Sequence, residues 1–276
     1  MHLVITGSSS GIGRVLAVRL LNQGHHVWGL ARSEQSAAVA ASGTFRASRC
    51  DVADWNQVAR VAREVYGDWP HLDALVCCAG LLGAVGPATS LDQSHWSATV
   101  RANLEGTYHA IRAFHDLLVR APRRAKIICF SGGGATRARP RFSAYGAAKA
   151  AIVRLVETIA EEGRGTALDI NAVAPGPIHT RMTDEIVAFG PAVTGQAEHE
   201  AALKQKTADG SAMTRALDLV EWLLSPASDG ISGRLISAQW DPWPQLDRHK
   251  DELGAGDIYT LRRIVPGDRG KQWDAS

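Results

Sequence analysis

The sequence lacks a strong excess of charge of either sign. Its 30 lysines and arginines nearly balance its 28 aspartates and glutamates, which leaves a formal net charge of +2. A chain with this balance has no general electrostatic preference for nucleic acid or for an anionic membrane. We therefore expect no nucleic-acid or membrane partner, and any charge-driven recognition must be local.

The chain also has no long apolar run at its start. Met1 leads into MHLVITG, in which three apolar residues are followed at once by a threonine and a glycine. Such a run is far too short for the apolar part of a secretion signal or for a membrane span. The sequence therefore predicts a cytoplasmic protein.

Cysteines are few and do not share metal-ligand spacing with histidines. Cys50, Cys77, Cys78 and Cys129 each lie at the end of a short apolar run. This pattern is typical of buried, reduced thiols. We expect no metal site from it.

Short apolar runs alternate with longer segments of helical period. Runs of this kind, bounded by turn residues, indicate parallel strands that are buried on both faces of a sheet. The predicted strands are LVI (3–5), HVWGL (26–30), TFRASRC (44–50), ALVCC (74–78), KIICF (126–130), DINAV (169–173) and RLISA (234–238). The sequence predicts an α/β fold with a doubly wound, Rossmann-type parallel sheet of about seven strands and helices on both faces.

Residues 1–240 are predicted to form one α/β domain. Within it, residues 179–215 have no strand pattern, and we expect helices and loops that form a lid over the rest of the domain. Residues 241–276 form a C-terminal extension that contains Trp243 and Trp273. A disordered tail is usually poorer in such residues, so we expect the extension to pack against the domain or another surface.

The segment TGSSSGIG, residues 6–13, follows the first predicted strand and opens the first predicted helix. Glycines in this context allow a tight turn and the close approach of a pyrophosphate, which the helix N-terminus then stabilises. The alternative is a loop that is merely flexible. The cofactor-binding candidates in this segment are Gly7, Ser9, Ser10, Gly11, Ile12 and Gly13.

The second predicted strand ends in LARS, which predicts the choice of cofactor. NAD-binding proteins usually carry an acid near this point for the ribose hydroxyls, whereas this chain has Ala31 followed by Arg32. A guanidinium suits a 2′-phosphate through charge-assisted bonds, which favours NADP(H) over NAD(H). A solvated surface arginine is the alternative. Asp51 and Val52, after the third strand, are expected to flank the adenine, unless Asp51 only caps the next helix.

Tyr145 and Lys149 lie four residues apart in the stretch KIICFSGGGATRARPRFSAYGAAK, residues 126–149. On a helix this spacing places an ammonium near a phenol, which favours the ionised phenol and lowers its pKa. Tyr145 is therefore a candidate general acid or base. The alternative is an ordinary helix start with a surface lysine.

Several motifs, taken together and in order, resemble those of the short-chain dehydrogenase/reductase family in its single-domain branch. The resemblance covers roughly residues 1–240. The motifs are TGSSSGIG (6–13), CDV (50–52), CCAG (77–80), RANLEG (101–106), YGAAK (145–149) and NAVAPGPIHT (171–180).

The resemblance implies roles for individual residues. In this family the tyrosine matching Tyr145 exchanges a proton with the substrate oxygen, while the lysine matching Lys149 also holds the nicotinamide ribose. Asn103 matches an asparagine that helps to bind a water of the proton relay; a polar residue that bends the helix is the alternative. Further residues that the resemblance places beside the cofactor are Ala79, Gly80, Pro175, Gly176, Ile178 and Thr180. It also implies a homodimer or homotetramer that pairs the helices containing Asn103 and Tyr145.

Two positions depart from the family pattern. Cys77 and Cys78 replace two asparagines, which removes side-chain hydrogen bonds. The serine that polarises the substrate carbonyl normally lies thirteen residues before the tyrosine, and Gly132 occupies that position. Ser131, Ser143 or the backbone N–H groups of residues 132–134 are the candidate replacements.

The same loop borders the substrate cleft in this family. Gly132, Gly133, Arg139 and Ser143 are therefore substrate-site candidates, and Arg137, Arg139 and Arg141 would suit an anionic substrate. A solvated basic loop, or one that faces another subunit, is an equal alternative for the arginines.

Three functions fit these observations. The first is an NADP(H)-dependent oxidoreductase that moves hydride between the nicotinamide and a carbonyl or secondary alcohol. The second is an epimerase that keeps its cofactor bound and oxidises the substrate transiently. The third is a non-catalytic NADP-binding sensor or assembly protein, which Gly132 and the extension suggest and the retained Tyr145 and Lys149 oppose.

Overall fold

The computed structural model of the chain describes residues 1–35 and 43–273. At its centre is a parallel sheet of seven strands in the order β3-β2-β1-β4-β5-β6-β7. The strands are β1 (His2–Thr6), β2 (His26–Ala31), β3 (Phe45–Arg49), β4 (Ala74–Cys77), β5 (Ala125–Phe130), β6 (Leu168–Ala174) and β7 (Leu235–Ser237). Every predicted strand is confirmed within one or two residues.

Helices cover both faces of this sheet, as the continuous apolar strands require. They are α1 (Gly11–Asn22), α2 (Trp55–Asp68), α3 (Gln93–Val100), α4 (Gly106–Leu118), α5 (Ser143–Glu162), α6 (Arg181–Thr194), α7 (Gln196–Lys206), α8 (Ser211–Leu224) and α9 (Lys250–Ala255), with a π-helical turn at Arg101–Glu105. Strands β4 and β5 are buried along their whole length. One apolar cluster packs α2, α4 and α5 on one face, and a second packs α1 and α8 on the other. The predicted doubly wound α/β fold is confirmed.

The order of the strands places the functional end of the molecule. The sheet runs outward from β1 in both directions, through β2 on one side and β4 on the other. In sheets of this kind, ligands bind beyond the carboxyl ends of the strands where the chain changes direction. The segments after β1, β4, β5 and β6 carry the predicted motifs and meet at this edge.

Residues 179–215 contain no strand and form α6, α7 and the start of α8. A kink divides α6, where Gly190 has a left-handed φ of 74° and Pro191 follows it. Apolar side chains of α6 and α7 form a small third cluster with Leu82 and Phe142. The segment thus packs over the start of α5, the position expected of a lid.

The C-terminal extension packs against the sheet through its first half. Trp243 is 8% exposed and joins the apolar cluster of α1 and α8. The buried Arg234 guanidinium donates to the carbonyls of Gly256 and Ile258, which holds the extension beside β7. Trp273 is 74% exposed, so the packing of the extension against the domain is confirmed for Trp243 and does not involve Trp273.

All four cysteines are free thiols. Three of them are buried as predicted, whereas Cys78, which follows β4 and lies beside the glycine-rich loop, is only half-buried. Within the described ranges, no helix combines the length and the apolar content that a membrane crossing needs.

Candidate active site

The glycine-rich loop turns tightly between β1 and α1. Gly7 has a left-handed φ of 71°, and a Cβ on it would lie 2.8 Å from the backbone of Ala79. A Cβ on Gly13 would lie 2.5 Å from the Gly7 carbonyl oxygen. Both positions therefore need glycine, because the backbones of the loop, the helix and the segment after β4 are in direct contact.

The N-terminus of α1 is open to an anion. Ser10 is its N-cap residue and makes no side-chain capping hydrogen bond. The first-turn N–H groups are consequently left for a ligand, which suits the phosphates of a dinucleotide. Ser9 and Ile12 lie half-buried on either side of this turn.

The loop after β2 lies directly beside the glycine-rich loop. The Ser33 hydroxyl donates to the Ser9 hydroxyl at 2.9 Å, and the Gln35 amide donates to the Ser8 hydroxyl at 3.0 Å. Arg32 is exposed at this rim. Among the ion pairs of the described residues, none involves Arg32. A free guanidinium is thus held next to the predicted adenosine end of the cleft.

The segment after β3 contains the residue that caps α2. Asp54, not Asp51, caps α2, since its carboxylate accepts from Asn56 N at 2.9 Å and Gln57 N at 3.3 Å. The alternative that Asp51 is only this cap is therefore wrong. Asp51 Oδ1 accepts from Ala53 N at 3.0 Å, which fixes a tight turn around Val52.

The segment after β6 forms the opposite wall of the cleft. A Cβ on Gly11 would lie 3.8 Å from the Thr180 methyl group, so the glycine-rich loop and this segment face each other. Gly176 has a left-handed φ of 89° and packs on Gln239, whose amide donates to the Pro175 carbonyl at 2.9 Å. Ile178 is buried behind Thr180, which begins α6.

Tyr145 and Lys149 lie on one face of α5, as predicted. Lys149 is 5% exposed, and its ammonium lies 5.5 Å from the Tyr145 ring centre. The ammonium donates to the Phe130 carbonyl at the end of β5 at 2.9 Å. This bond anchors the catalytic helix to the strand edge where the cofactor segments meet.

The electrostatics of the pair differ from the prediction. Burial raises the pKa of Tyr145, and the charge that opposes this rise belongs to Arg139. Burial also lowers the pKa of Lys149 to about 8, although three neighbouring cysteine thiols counteract it. The structure therefore contradicts the prediction that the pKa of Tyr145 is lowered, because burial of the phenol outweighs the opposing charge.

Asn103 lies at the centre of the π-helical turn between α3 and α4. It is fully buried, and its amide donates to the carbonyls of Leu81 and Thr99 at 2.9 Å each. Its Oδ1 is buried and has no hydrogen-bond partner among the described residues. A Cβ on Gly80 would lie 2.7 Å from this oxygen and 3.6 Å from the Lys149 ammonium. Asn103 and Lys149 thus border one small polar space beside Gly80.

Gly132 faces the Tyr145 hydroxyl. A Cβ on it would lie 4.0 Å from the phenol oxygen and would meet no closer heavy atom. Its φ of 172° is extended backbone, which any residue adopts. The position is therefore occupied by glycine without steric need, and the missing side chain leaves space directly beside the phenol.

The two candidate serines are engaged elsewhere. The Ser131 side chain is buried and donates to the Lys149 carbonyl at 3.0 Å, which places its hydroxyl on the α5 backbone. The Ser143 hydroxyl accepts from the Trp96 indole N–H at 3.2 Å. Next to them, Gly133–Ala135 form a 3-10 turn that directly follows Gly132.

Two arginines of this loop contact α6 and α7. Arg139 forms a bidentate ion pair with Glu198 of α7 at 2.7 Å and 3.0 Å, and its guanidinium lies 4.1 Å from the Phe142 ring centre. Arg141 donates to the Ala192 and Val193 carbonyls. Only Arg137 of the three is exposed, so the loop offers a substrate anion less charge than the sequence suggests.

The walls around Tyr145 are apolar. Tyr145 packs into the cluster formed by Leu82, Phe142, Ile186 and Ala202, with Met182 and Val187 at its edge. This cluster joins α5 to α6 and α7. The surroundings of Tyr145 are thus mainly apolar, with the guanidinium of Arg139 5.8 Å from its ring centre.

Comparison with protein families and curated proteins places these motifs in context. Residues 1–189 match the family model described as short chain dehydrogenase. A short chain dehydrogenase of Monascus purpureus is 31% identical over 273 residues, which covers 95% of this chain and 88% of the relative. A 3beta-hydroxysteroid dehydrogenase of Mediterraneibacter gnavus is 27% identical over 188 residues, covering 66% of this chain and 67% of the relative.

Solved structures share the fold. Levodione reductase superposes with a TM-score of 0.75 at 23% identity, covering 86% of this chain and 95% of that one. The ligand-free aldohexose dehydrogenase of Thermoplasma acidophilum gives a TM-score of 0.73 at 23% identity, covering 86% and 91%. The Monascus purpureus relative also covers most of the C-terminal extension, which the family model does not reach.

Proposed function

Because the chain belongs to the short-chain dehydrogenase family, we propose that it is an NADP(H)-dependent oxidoreductase that interconverts a carbonyl and a secondary alcohol on a small molecule. The observation that carries this proposal is the Tyr145 hydroxyl, which faces the space left by Gly132 while Lys149 and Asn103 border the cofactor side of the cleft. A protein that only binds a nucleotide does not require these three side chains to meet at one place.

The residues around the cleft fit a dinucleotide. The uncapped N-terminus of α1 suits the pyrophosphate, and the exposed Arg32 suits a 2′-phosphate. Asp51 and Val52 flank the adenine, while Pro175, Gly176, Ile178 and Thr180 border the nicotinamide end. When bound, the nicotinamide supplies or accepts the hydride of the reaction.

Tyr145 acts as the general acid or base in this proposal. During reduction the phenol donates its proton to the carbonyl oxygen, and during oxidation the phenolate takes a proton from the alcohol. Its raised pKa keeps the phenol protonated in the free chain, which is the form that reduction needs. Lys149 holds the ribose beside it and supplies positive charge when the phenolate forms.

A water held between Asn103 and Lys149 returns the proton to Tyr145. Since buried acceptors almost always have a hydrogen-bond partner, we propose that a water donates to Asn103 Oδ1 and contacts the Lys149 ammonium. The backbone N–H groups of residues 132–134 polarise the carbonyl in place of the family serine. Ser131 acts as a positioning residue, because its hydroxyl fastens β5 to the carbonyl of Lys149.

The cleft favours a carbonyl on a largely apolar body. Leu82, Phe142 and the α6 side chains form its walls, and the missing side chain at Gly132 admits bulk next to the reacting carbon. Homodimers or homotetramers that pair α4 and α5 are the proposed assembly. The direct test follows NADPH absorbance with a panel of ketones that spans small, bulky apolar, acidic and sugar-derived members. Turnover of at least one apolar ketone is expected, and tight NADPH binding without any turnover would contradict the proposal.

Replacing Arg32 by alanine should remove the preference for the phosphorylated cofactor. The loss of a charge-assisted pair weakens NADPH binding by roughly ten- to a hundredfold, while NADH binding stays unchanged because NADH has no 2′-phosphate. Fluorescence titration of both cofactors measures the two dissociation constants.

Arg46 provides the matched control for this prediction. Arg46 is also exposed, but it lies on β3 and forms an ion pair with Asp68 at 3.1 Å, whereas Arg32 has no ion-pair partner among the described residues. Arg46→Ala should change neither constant. Equal losses of affinity for NADPH and NADH in Arg32→Ala would show that Arg32 does not recognise the 2′-phosphate.

Replacing Arg139 by glutamine should shift the pH dependence of the reaction upward. The guanidinium opposes the rise of the Tyr145 pKa, so its removal raises that pKa further. Oxidation needs the phenolate and therefore gains activity only at higher pH, while reduction keeps its activity to higher pH. Profiles of kcat/KM against pH in both directions measure the shift.

Arg141→Gln separates this effect from the loss of a lid contact. Arg141 also ties the loop to α6, through the Ala192 and Val193 carbonyls, but its bonds do not reach Tyr145. Arg141→Gln should alter KM and leave the profile of kcat/KM against pH unshifted. An identical pH shift in both variants would attribute the effect to lid opening instead of charge.

A further inference from the structure

A second cluster of polar side chains lies at the end of the sheet opposite Tyr145. His2 begins β1, and His71 and Asp73 lie in the segment that leads into β4. All three are half-buried, and each can offer one ligand atom such that these atoms lie within 4.8 Å of one another. Because the strands are parallel, this amino end is the full length of the strands away from the glycine-rich loop.

The donor atoms are held in place by their surroundings. The Asp73 Oδ2 accepts from the His2 backbone N–H at 2.7 Å, which fixes the carboxylate beside β1. Its Oδ1 lies 3.5 Å from His71 Nε2. The Trp69 ring stacks on His2 with ring centres 4.8 Å apart, which limits the imidazole to small rotations.

One histidine nitrogen has no hydrogen-bond partner among the described residues. The Nδ1 of His2 is buried, yet no described group forms a hydrogen bond with it. Buried side-chain nitrogens are almost always satisfied by protein, water or an ion. An orphaned imidazole nitrogen beside a second imidazole and a carboxylate is the arrangement that a borderline-soft divalent cation satisfies.

We propose that His2, His71 and Asp73 bind one divalent transition-metal ion of the zinc type. Two imidazole nitrogens and a carboxylate oxygen form a three-ligand set, which water completes to a tetrahedron. Donor atoms about 2.1 Å from such an ion lie closer together than 4.8 Å, so small side-chain rotations close the site. The ion clips the start of β1 to the segment before β4. Its role is structural, since the site is remote from the cofactor cleft.

The test is a metal titration of the full chain without any histidine tag, because a tag binds the same ions. After dialysis against a chelator, Zn²⁺ and Co²⁺ are titrated in a calorimeter. One ion per chain is expected, together with a visible Co²⁺ absorption band typical of tetrahedral coordination. His71→Ala should weaken binding at least about tenfold and abolish the band. Asp73→Asn, which keeps the side chain's shape, gives a second variant if His71→Ala fails to fold.

His115 offers a matched control. Its imidazole lies 3.5 Å from the Asp116 carboxylate, the same separation as in the His71 and Asp73 pair, but the two belong to no three-donor group among the described residues. His115→Ala should bind like the parent. The proposal is overturned if the parent binds less than one ion, or if neither His71→Ala nor Asp73→Asn binds more weakly than His115→Ala. It is supported if only the cluster variants lose binding and also lose the rise in Tm that Zn²⁺ produces.

Discussion

Tyr145→Phe is expected to lower kcat by about 10²- to 10⁴-fold, because the variant keeps the aromatic ring and loses only the proton that catalysis needs. The ring packs against Leu82 and Phe142, and phenylalanine preserves these contacts. NADPH affinity should therefore stay close to that of the parent. Initial rates with the best ketone of the panel, measured beside NADPH binding, separate chemistry from folding.

Tyr108→Phe is the control for this prediction. Tyr108 is 42% exposed on α4, and its hydroxyl has no part in the proposed chemistry. It should retain full turnover. Unchanged kcat in Tyr145→Phe would exclude the phenol as the proton donor, and loss of NADPH affinity in parallel with kcat would indicate a structural role.

Gly132→Ser is expected to increase the activity on small ketones by at least tenfold and up to about 10²-fold. Oxyanion donors are typically worth about 10²–10³ in rate, and backbone N–H groups already supply part of this. The substitution is sterically simple, because a Cβ at this position lies 4.0 Å from the Tyr145 hydroxyl and the backbone is extended. The new hydroxyl is therefore placed beside the phenol, where the carbonyl oxygen binds. Values of kcat/KM for small and bulky ketones measure the effect.

Gly132→Ala isolates the hydroxyl from the added bulk. It introduces the same Cβ without a donor, so it should bring no gain on small ketones. Both variants should lose activity on bulky ketones, since both fill the space that glycine leaves. If serine and alanine have the same effect on small ketones, the site does not lack a side-chain donor.

Much of the fold is predictable because its signals are local. Each strand is a short apolar run bounded by turn residues, and each is found where the pattern places it. The first helix also ends at a local signal, since Gly24 takes a left-handed φ of 80° just beyond it. Parallel order follows from the helices that connect the strands. The details of the extension are not local, because they depend on contacts such as Arg234 with Gly256 and Ile258.

The candidate site is predictable in its members and less so in its electrostatics. Residue spacing places Tyr145 and Lys149 on one face, but burial decides the directions of their pKa shifts, and burial is a property of the folded chain. The cap of α2 was only an alternative role for Asp51, and the structure assigns it to Asp54, since both aspartates precede the helix and only geometry distinguishes them. The sequence prediction of a working proton-transfer pair stays a prediction.

Other contacts could not be inferred because their partners lie far apart along the chain. Arg139 pairs with Glu198, a residue of a segment that the sequence identified only as helical. His2 lies about seventy residues from His71 and Asp73, so no spacing motif joins them. The expectation of no metal site came from the spacing of cysteines and histidines along the chain. The parallel sheet instead places His2, His71 and Asp73 next to one another.

We propose that the chain catalyses a net oxidation–reduction in which hydride passes between a nicotinamide and a carbon of its substrate. The most direct measurement supplies NADPH deuterated at the transferable position together with the ketones of the panel. We predict that the label appears on the carbonyl carbon of one enantiomer of the alcohol, in step with net oxidation of the cofactor. Tight NADPH binding with no label in any alcohol and no net oxidation of the cofactor would contradict this proposal.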